Sequence, residues 1–417
     1  MSIASLSPCC GIKPLGCSGK PMRSTWTKRC FIFLLVAAPV LGQEIVPVRL
    51  TNNAVLIPVR VNDRELLFML DTGSESSAID PSLATSLNLK SAGDMQLLRN
   101  YRVLQTSAIQ ARSLGIGTRV FDNPSLATFS MEAASRALGV TVDGILGNDI
   151  LQELTFKLNY SKSEIVLGPW SQLAGVGSPV TLRRSRDQFF VPIQVMSVPV
   201  ELLLDTGTNS TNLSWATWQE VSRHWTPTSI IDGVVRAGAP TPPAFLACIP
   251  SLSVAGTTIT DQAVRIQRTV DTGAFSSENF GGILGSDLLR EFEVALDLKH
   301  ERMVLNRDAQ FKPDIYRYTT IGIQFARNGQ GTYSVMSVWQ NSPADKAGVT
   351  IGDQIKMIDG KTVASLNPEE LSGRLHAEAG TPINLAIERD GKNIAVPLRT
   401  RQMLCDHKSE PRAETQR

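Results

Sequence analysis

A duplication inside the chain limits its fold more than any other feature. The stretches Ile57-Pro-Val-Arg-Val61 and Leu66-Leu-Phe-Met-Leu70, followed by Asp71-Thr72-Gly73-Ser74, return as Val191-Pro-Ile-Gln-Val195, Val200-Glu-Leu-Leu-Leu204 and Asp205-Thr206-Gly207-Thr208. Pro58 precedes Asp71 at the same spacing as Pro192 precedes Asp205, and a helix start, Asp80-Pro81 or Ser214, follows each aspartate at one offset. Asp and Ser cap helix N-termini with their side-chain oxygens, and Pro suits the first helical position. A second block follows in each copy: Asp143-Gly-Ile-Leu-Gly147-Asn-Asp149-Ile-Leu151 and Gly281-Gly-Ile-Leu-Gly285-Ser-Asp287-Leu-Leu289. Beyond it, Leu154, Phe156, Leu158 and Ile165-Val-Leu167 match Phe292, Val294, Leu296 and Met303-Val-Leu305. Their alternation predicts a half-buried hairpin. The first block repeats at a slightly shorter offset (Asp71 to Asp205) than the second (Gly147 to Gly285), so the extra residues of the second copy belong in loops.

Short apolar strands and Gly-rich turns make each copy a mostly-β unit, over residues 43–172 and 176–310. A duplicated barrel without chemistry would show the same alternation, and Asp-Thr-Gly alone is a turn sequence. The tripeptide gains meaning because it ends an apolar strand, with a matched apolar-apolar-Gly block downstream, twice. A third copy, Asp271-Thr272-Gly273, lacks that context. It follows Arg268-Thr-Val270, and it lies far closer to Gly285 than Asp205 does, or than Asp71 does to Gly147. That leaves no room for the intervening half-lobe. We read Asp271 as a loop residue.

With these motifs the sequence resembles the retropepsin-like aspartic proteases, over residues 43–310, as two tandem copies. Leu70-Asp-Thr-Gly-Ser74 with Ile145-Leu-Gly147, and Leu204-Asp-Thr-Gly-Thr208 with Ile283-Leu-Gly285, make the match. In that family each lobe supplies one aspartate across a cleft, so the resemblance implies an intramolecular pseudo-dimer with Asp71 and Asp205 as the catalytic pair. Two adjacent carboxylates cannot both ionise comfortably and share one proton. The ionised member acts as general base on water and the protonated member donates to the scissile carbonyl. The resemblance further implies that Gly73 and Gly207 permit close approach, that Thr72 and Thr206 tie the loops together, and that Ser74 and Thr208 hydrogen-bond the outer carboxylate oxygens. The Ile-Leu-Gly blocks would pack beneath the loops. One departure concerns the flap that closes such clefts. The second copy offers Arg236-Ala-Gly-Ala-Pro240, but the first has Leu98-Arg-Asn-Tyr-Arg-Val103 without glycine, so its flap is expected to be altered or absent. Gly115-Ile-Gly117 matches Val254-Ala-Gly256 instead, as a turn.

From about residue 314 the pattern changes. Ser342-Pro-Ala-Asp345 reads as a capped helix start, Asp359-Gly360 and Asp390-Gly391 as tight hairpin turns, and Pro368–Glu378 as an amphipathic helix with Leu371 and Leu375 inward. Residues 314–402 resemble a PDZ domain, β-rich with two helices, through Gly322-Ile-Gln-Phe325, Asn341-Ser-Pro-Ala344, Ala347-Gly348 and Gly352-Asp-Gln-Ile355. The resemblance implies that Gly322, Ile323, Gln324 and Phe325 bind a peptide C-terminal carboxylate, with the peptide added as a strand. Packing against the protease lobes is the alternative role.

Lys28-Arg29 before an apolar run from Cys30 to Leu41 reads as a signal peptide over residues 1–42, or an anchor if uncleaved; Met22 is a candidate start. An extracytoplasmic location follows. Four of the six cysteines lie in that segment, leaving Cys248 and Cys405. We expect no disulfide framework, and a disordered tail over 403–417. With a net charge of +2 and no basic block interleaved with aromatics, nucleic-acid binding has no support. The four histidines form no ligand set, so neither metal nor cofactor is expected. The reading is a mainly β chain: two retropepsin-like lobes plus a PDZ domain, a monomeric aspartic endopeptidase acting on proteins or peptides. The alternative is a protease-like binding or adaptor protein without catalysis.

Overall fold

The computed structural model describes residues 42–99, 102–227, 230–231, 244–254, 256–268, 279–312, 318–327, 332–366 and 368–405. The segment read as a signal peptide, apart from Gly42, the Arg236–Pro240 flap, Asp271 and the tail beyond Cys405 lie outside them. No helix among the described residues is long and apolar enough to cross a membrane.

The duplicated sequence gives duplicated topology. In the first lobe Ala54–Val61 turns back into Arg64–Leu70 as an antiparallel hairpin. Gly144–Leu146 then slots beside the hairpin, parallel to Arg64–Leu70 and antiparallel to Ala78–Ile79. The second lobe repeats this with Gln188–Val195, Val198–Asp205, Gly282–Gly285 and Asn212–Ser214. The helices follow their caps: Asp80 accepts from the Ser82 N–H ahead of Pro81–Ser86, and Ser214 accepts from the Thr217 N–H ahead of Trp215–His224.

The lobes join through a six-stranded antiparallel sheet, in the order Glu44–Pro47, Glu164–Leu167, Thr155–Asn159, Phe292–Asp297, Arg302–Arg307, Val180–Thr181. Its central pair, Thr155–Asn159 with Phe292–Asp297, crosses the lobe boundary. The alternating residues Phe156, Leu158, Val294 and Leu296 are buried there in one apolar core that runs through both lobes. On the other face Glu293 accepts from Lys157 Nζ at 3.0 Å and Asn159 Nδ2 at 2.7 Å.

The expectation of an altered or absent first flap needs correction. Lys90–Arg99 and Arg102–Gln110 pair along their whole length as a long hairpin, from Lys90↔Gln110 to Arg99↔Arg102. Pairing along the arms does not require glycine at the tip, so its absence there was a poor guide. The turns at Gly117 and Gly256 occupy matching places, between Ser113–Ile116 and Arg119–Asp122 and between Ala244–Val254 and Thr257–Gln267.

The C-terminal domain has a separate core, with Tyr333, Val335, Ile355, Leu371, Leu375 and Leu385 fully buried or nearly so. Its sheet runs Ile323–Arg327, Tyr333–Val338, Gln354–Ile358, Pro382–Arg389, Lys392–Arg399. The Asp-Gly turns join Ile358 to Lys361 and Arg389 to Lys392 as paired residues. Ile323–Arg327 is an edge strand, with Lys392–Arg399 at the opposite end of the sheet.

Two further expectations fail. Residues 403–405 are not a disordered tail: Arg401–Gln402 pairs with Thr319–Thr320, and Leu404 and Cys405 are buried. Cys405 forms a disulfide with Cys248 of the second lobe, Cα–Cα 5.2 Å, closing 157 residues of chain. The bond lies in an apolar patch where Trp339 and Leu404 meet Ile231, Leu246 and Ala263 of the second lobe. Burial of that patch fixes the chain end that composition alone marked as polar.

Candidate active site

Each aspartate sits where its apolar strand ends. Asp71 follows Arg64–Leu70, and its backbone N–H donates to the Leu146 carbonyl at 3.0 Å. Asp205 ends Val198–Asp205, in register with Gly285 of the parallel neighbour. Each Ile-Leu-Gly block therefore lies directly beside an Asp-Thr-Gly loop. A Cβ on Gly147 would meet the Ser76 carbonyl carbon at 2.6 Å, and one on Gly285 the Ser210 carbonyl oxygen at 2.5 Å.

Two buried threonines lock the loops together. Thr72 Oγ1 accepts from the Thr206 N–H at 3.1 Å and donates to the Leu204 carbonyl at 3.0 Å. Thr206 Oγ1 accepts from the Thr72 N–H at 3.1 Å and donates to the Leu70 carbonyl at 2.9 Å. The exchange satisfies buried backbone groups of both loops and sets the distance between them. It brings Gly73 against one carboxyl and Gly207 against the other: a Cβ on Gly73 would fall 2.5 Å from Asp205 Cγ, and one on Gly207 2.5 Å from Asp71 Cγ. Only glycine fits such an approach.

The two carboxyls meet. Burial, and then the Asp71 charge and a hydrogen bond that the protonated Asp205 donates to the Asp71 carboxyl, hold Asp205 well above the usual carboxylate range. The N–H groups of Gly207 and Thr208 pull the other way. Gly207 N–H donates to Asp205 Oδ1 at 2.9 Å and Gly73 N–H to Asp71 Oδ1 at 3.0 Å. Such a pair can hold one proton between two acids. Ser74 differs from its expected place, because its hydroxyl proton goes to the Ser76 carbonyl at 2.9 Å rather than to a carboxylate. At Thr208 it is the backbone N–H that reaches Asp205.

Sequence reasoning missed a supporting layer beneath the loops. Ser77 Oγ donates to Asp149 Oδ1 at 2.6 Å and accepts from the Gly147 N–H at 2.9 Å. Thr211 Oγ1 donates to Asp287 Oδ1 at 2.7 Å and accepts from the Gly285 N–H at 3.2 Å. These pairs are repeat equivalents, and the signal was an aspartate kept at one offset inside two apolar blocks. Burial raises the Asp149 carboxyl despite its bonds to Ser77. At the position before those aspartates the lobes differ. Asn148 Nδ2 donates to the Thr72 carbonyl at 2.8 Å and to the Asp187 carbonyl at 2.6 Å. Its counterpart Ser286 donates to the Thr206 carbonyl at 2.9 Å and accepts from the Tyr160 hydroxyl at 3.1 Å.

In the C-terminal domain, Gly322 has φ +86° and packs on Ser342, leaving no room for a side chain. Its N–H donates to Thr320 Oγ1 at 3.2 Å. Ile323 is buried, Gln324 accepts from Ser337 Oγ at 3.0 Å, and Phe325 stacks edge-on with Tyr333 at 5.6 Å.

Residues 57–150 match the aspartyl protease family and residues 319–400 match the PDZ domain family. A stretch of 57 residues is 44% identical to the carboxy-terminal-processing protease of Bartonella bacilliformis. It covers 14% of this chain and 13% of that protein, so the chain spans only a small part of this relative. The chain thus joins an aspartyl protease domain, in its first lobe, to a C-terminal PDZ domain.

Proposed function

We propose that the chain is an exported aspartic endopeptidase in which Asp71 and Asp205 form one catalytic dyad. The supporting observation is the reciprocal Thr72–Thr206 exchange, which presses each catalytic glycine against the other lobe's carboxyl. In this reading the pair shares one proton. The ionised carboxylate takes a proton from water as it attacks the scissile carbonyl, and the protonated carboxyl donates to the carbonyl oxygen. Collapse of the tetrahedral species, with a proton delivered to the leaving amine, releases both products and restores the dyad. The raised Asp205 suits the proton-holding state, though the proton belongs to the pair. The Lys90–Gln110 hairpin supplies the first lobe's flap, and the chain acts as a monomer.

The PDZ edge strand Ile323–Arg327 would accept a peptide as an added strand, with Gly322, Ile323, Gln324 and Phe325 at its carboxylate end. The Cys248–Cys405 disulfide fits an oxidising, extracytoplasmic compartment.

The test compares the parent with Asp71→Asn and Asp205→Asn on a peptide library from acidic to neutral pH. Cleavage by the parent and its loss in both variants is the expected result. A parent without cleavage would bring forward a protease-like peptide-binding adaptor.

A further inference from the structure

We propose that Tyr160 is a positioning residue for the Asp205 carboxylate, at the head of a hydrogen-bond chain through Ser286 and the Thr206–Gly207 peptide. The inference rests on the dyad reading above. Tyr160 O–H donates to Ser286 Oγ at 3.1 Å. Ser286 O–H donates to the Thr206 carbonyl at 2.9 Å. That carbonyl shares its peptide group with the Gly207 N–H, which donates to Asp205 Oδ1 at 2.9 Å. Every donor in the series points towards Asp205. Each accepted bond polarises the next donor, so the Gly207 N–H reaches the carboxylate strengthened.

The setting keeps the chain intact. Ser286 and Thr206 are fully buried and Tyr160 nearly so, which excludes competing solvent. Burial pushes the Tyr160 phenol up, so it stays protonated and remains a donor wherever the dyad titrates. Tyr160 follows Thr155–Asn159 of the first lobe, whereas the loop it serves belongs to the second. The central sheet of the lobe interface therefore delivers the phenol across the boundary.

Among the described residues the hydrogen-bond chain exists on one side only. In the first lobe Asn148 donates straight to the Thr72 carbonyl, and the counterpart of Tyr160 in the second repeat is Leu298. Two nearly identical loops thus support their carboxylates with different donors, which makes Asp71 and Asp205 inequivalent.

The test measures kcat, KM and their pH profiles for the parent, Tyr160→Phe, Ser286→Ala and the double variant, with folding checked by circular dichroism. Tyr160→Phe keeps the ring and removes only the donor. It is expected to lower kcat about fivefold, the net worth of one hydrogen bond, with KM unchanged. The acid limb should move to higher pH by about a third of a unit, because the carboxylate loses part of its donor. The double variant should be no worse than Ser286→Ala alone. Additive losses, or a lowered Tm with an unmoved acid limb, would overturn the proposal and leave Tyr160 as packing. If the parent does not cleave, the dyad reading fails separately. The chain is then read from the pH dependence of Tm, where Tyr160→Phe must move the Asp205 titration upwards and an unmoved titration overturns it.

Discussion

The two lobes are copies in topology and unlike in what secures them. The first Asp-Thr-Gly loop is braced by Asn148, which also reaches Asp187 across the boundary. The second is braced by Ser286 backed by Tyr160, and its lobe is tied covalently to the chain end through Cys248–Cys405. The hydrogen-bond exchange between Thr72 and Thr206 is nearly symmetric: both N–H bonds measure 3.1 Å, and the two hydroxyl-to-carbonyl bonds 3.0 Å and 2.9 Å. Symmetry is kept where the two halves must meet at one point and abandoned one layer below. A duplicated chain can thus hold one shared site while its halves take on separate attachments.

The largest effect should come from breaking the symmetric part. Thr72→Val and Thr206→Val each orphan a buried N–H and a buried carbonyl of the opposite loop, at about 1–3 kcal/mol per group. Cleavage should fall at least about 100-fold through misplacement of the dyad, equally in both variants, and Thr→Ser should retain it. The kcat/KM values and Tm of the four variants check this. Unequal losses would mean that the exchange is less symmetric than its geometry.

Next comes the covalent asymmetry. The Cys248→Ser/Cys405→Ser variant should lose about 2–4 kcal/mol, since the bond closes a long loop in the unfolded chain. Calorimetry should show the C-terminal domain parting from the second lobe before the lobes unfold. A single transition at the parent Tm would sink this account.

The smallest effect concerns pH. Asp205 is held above its unfolded value, so the folded state binds the extra proton. Its contribution to stability is therefore fully present below the unfolded pKa and is lost as pH rises through the raised folded one. Asp205→Asn removes that loss. The variant should gain Tm relative to the parent towards neutral pH, with the other carboxylates common to both proteins. A Tm difference that does not change with pH would contradict it.

The fold and the loop residues were legible because duplication printed them twice. Asp71 and Asp205, the Ile-Leu-Gly strands and the helix caps each recur at matching offsets. What was illegible is what the copies do not share. Tyr160 faces Leu298 in the repeat, and Asn148 faces Ser286, so no recurrence marks them. The disulfide was missed although only two cysteines lie beyond Cys30. The polar residues after Cys405 hid the apolar Met403-Leu404 beside it, and the partners lie 157 positions apart in sequence. The first flap was judged by a missing glycine, when ladder pairing along its arms builds the hairpin.

The central claim, one dyad built from two lobes of one chain, is tested most directly by mixing. Asp71→Asn and Asp205→Asn are purified separately, combined in equal amounts and assayed for peptide cleavage. An intramolecular site predicts that the mixture stays as inactive as either variant, because every chain still lacks one carboxylate. Recovery of cleavage on mixing would show that lobes from different chains assemble the site, and would contradict the account.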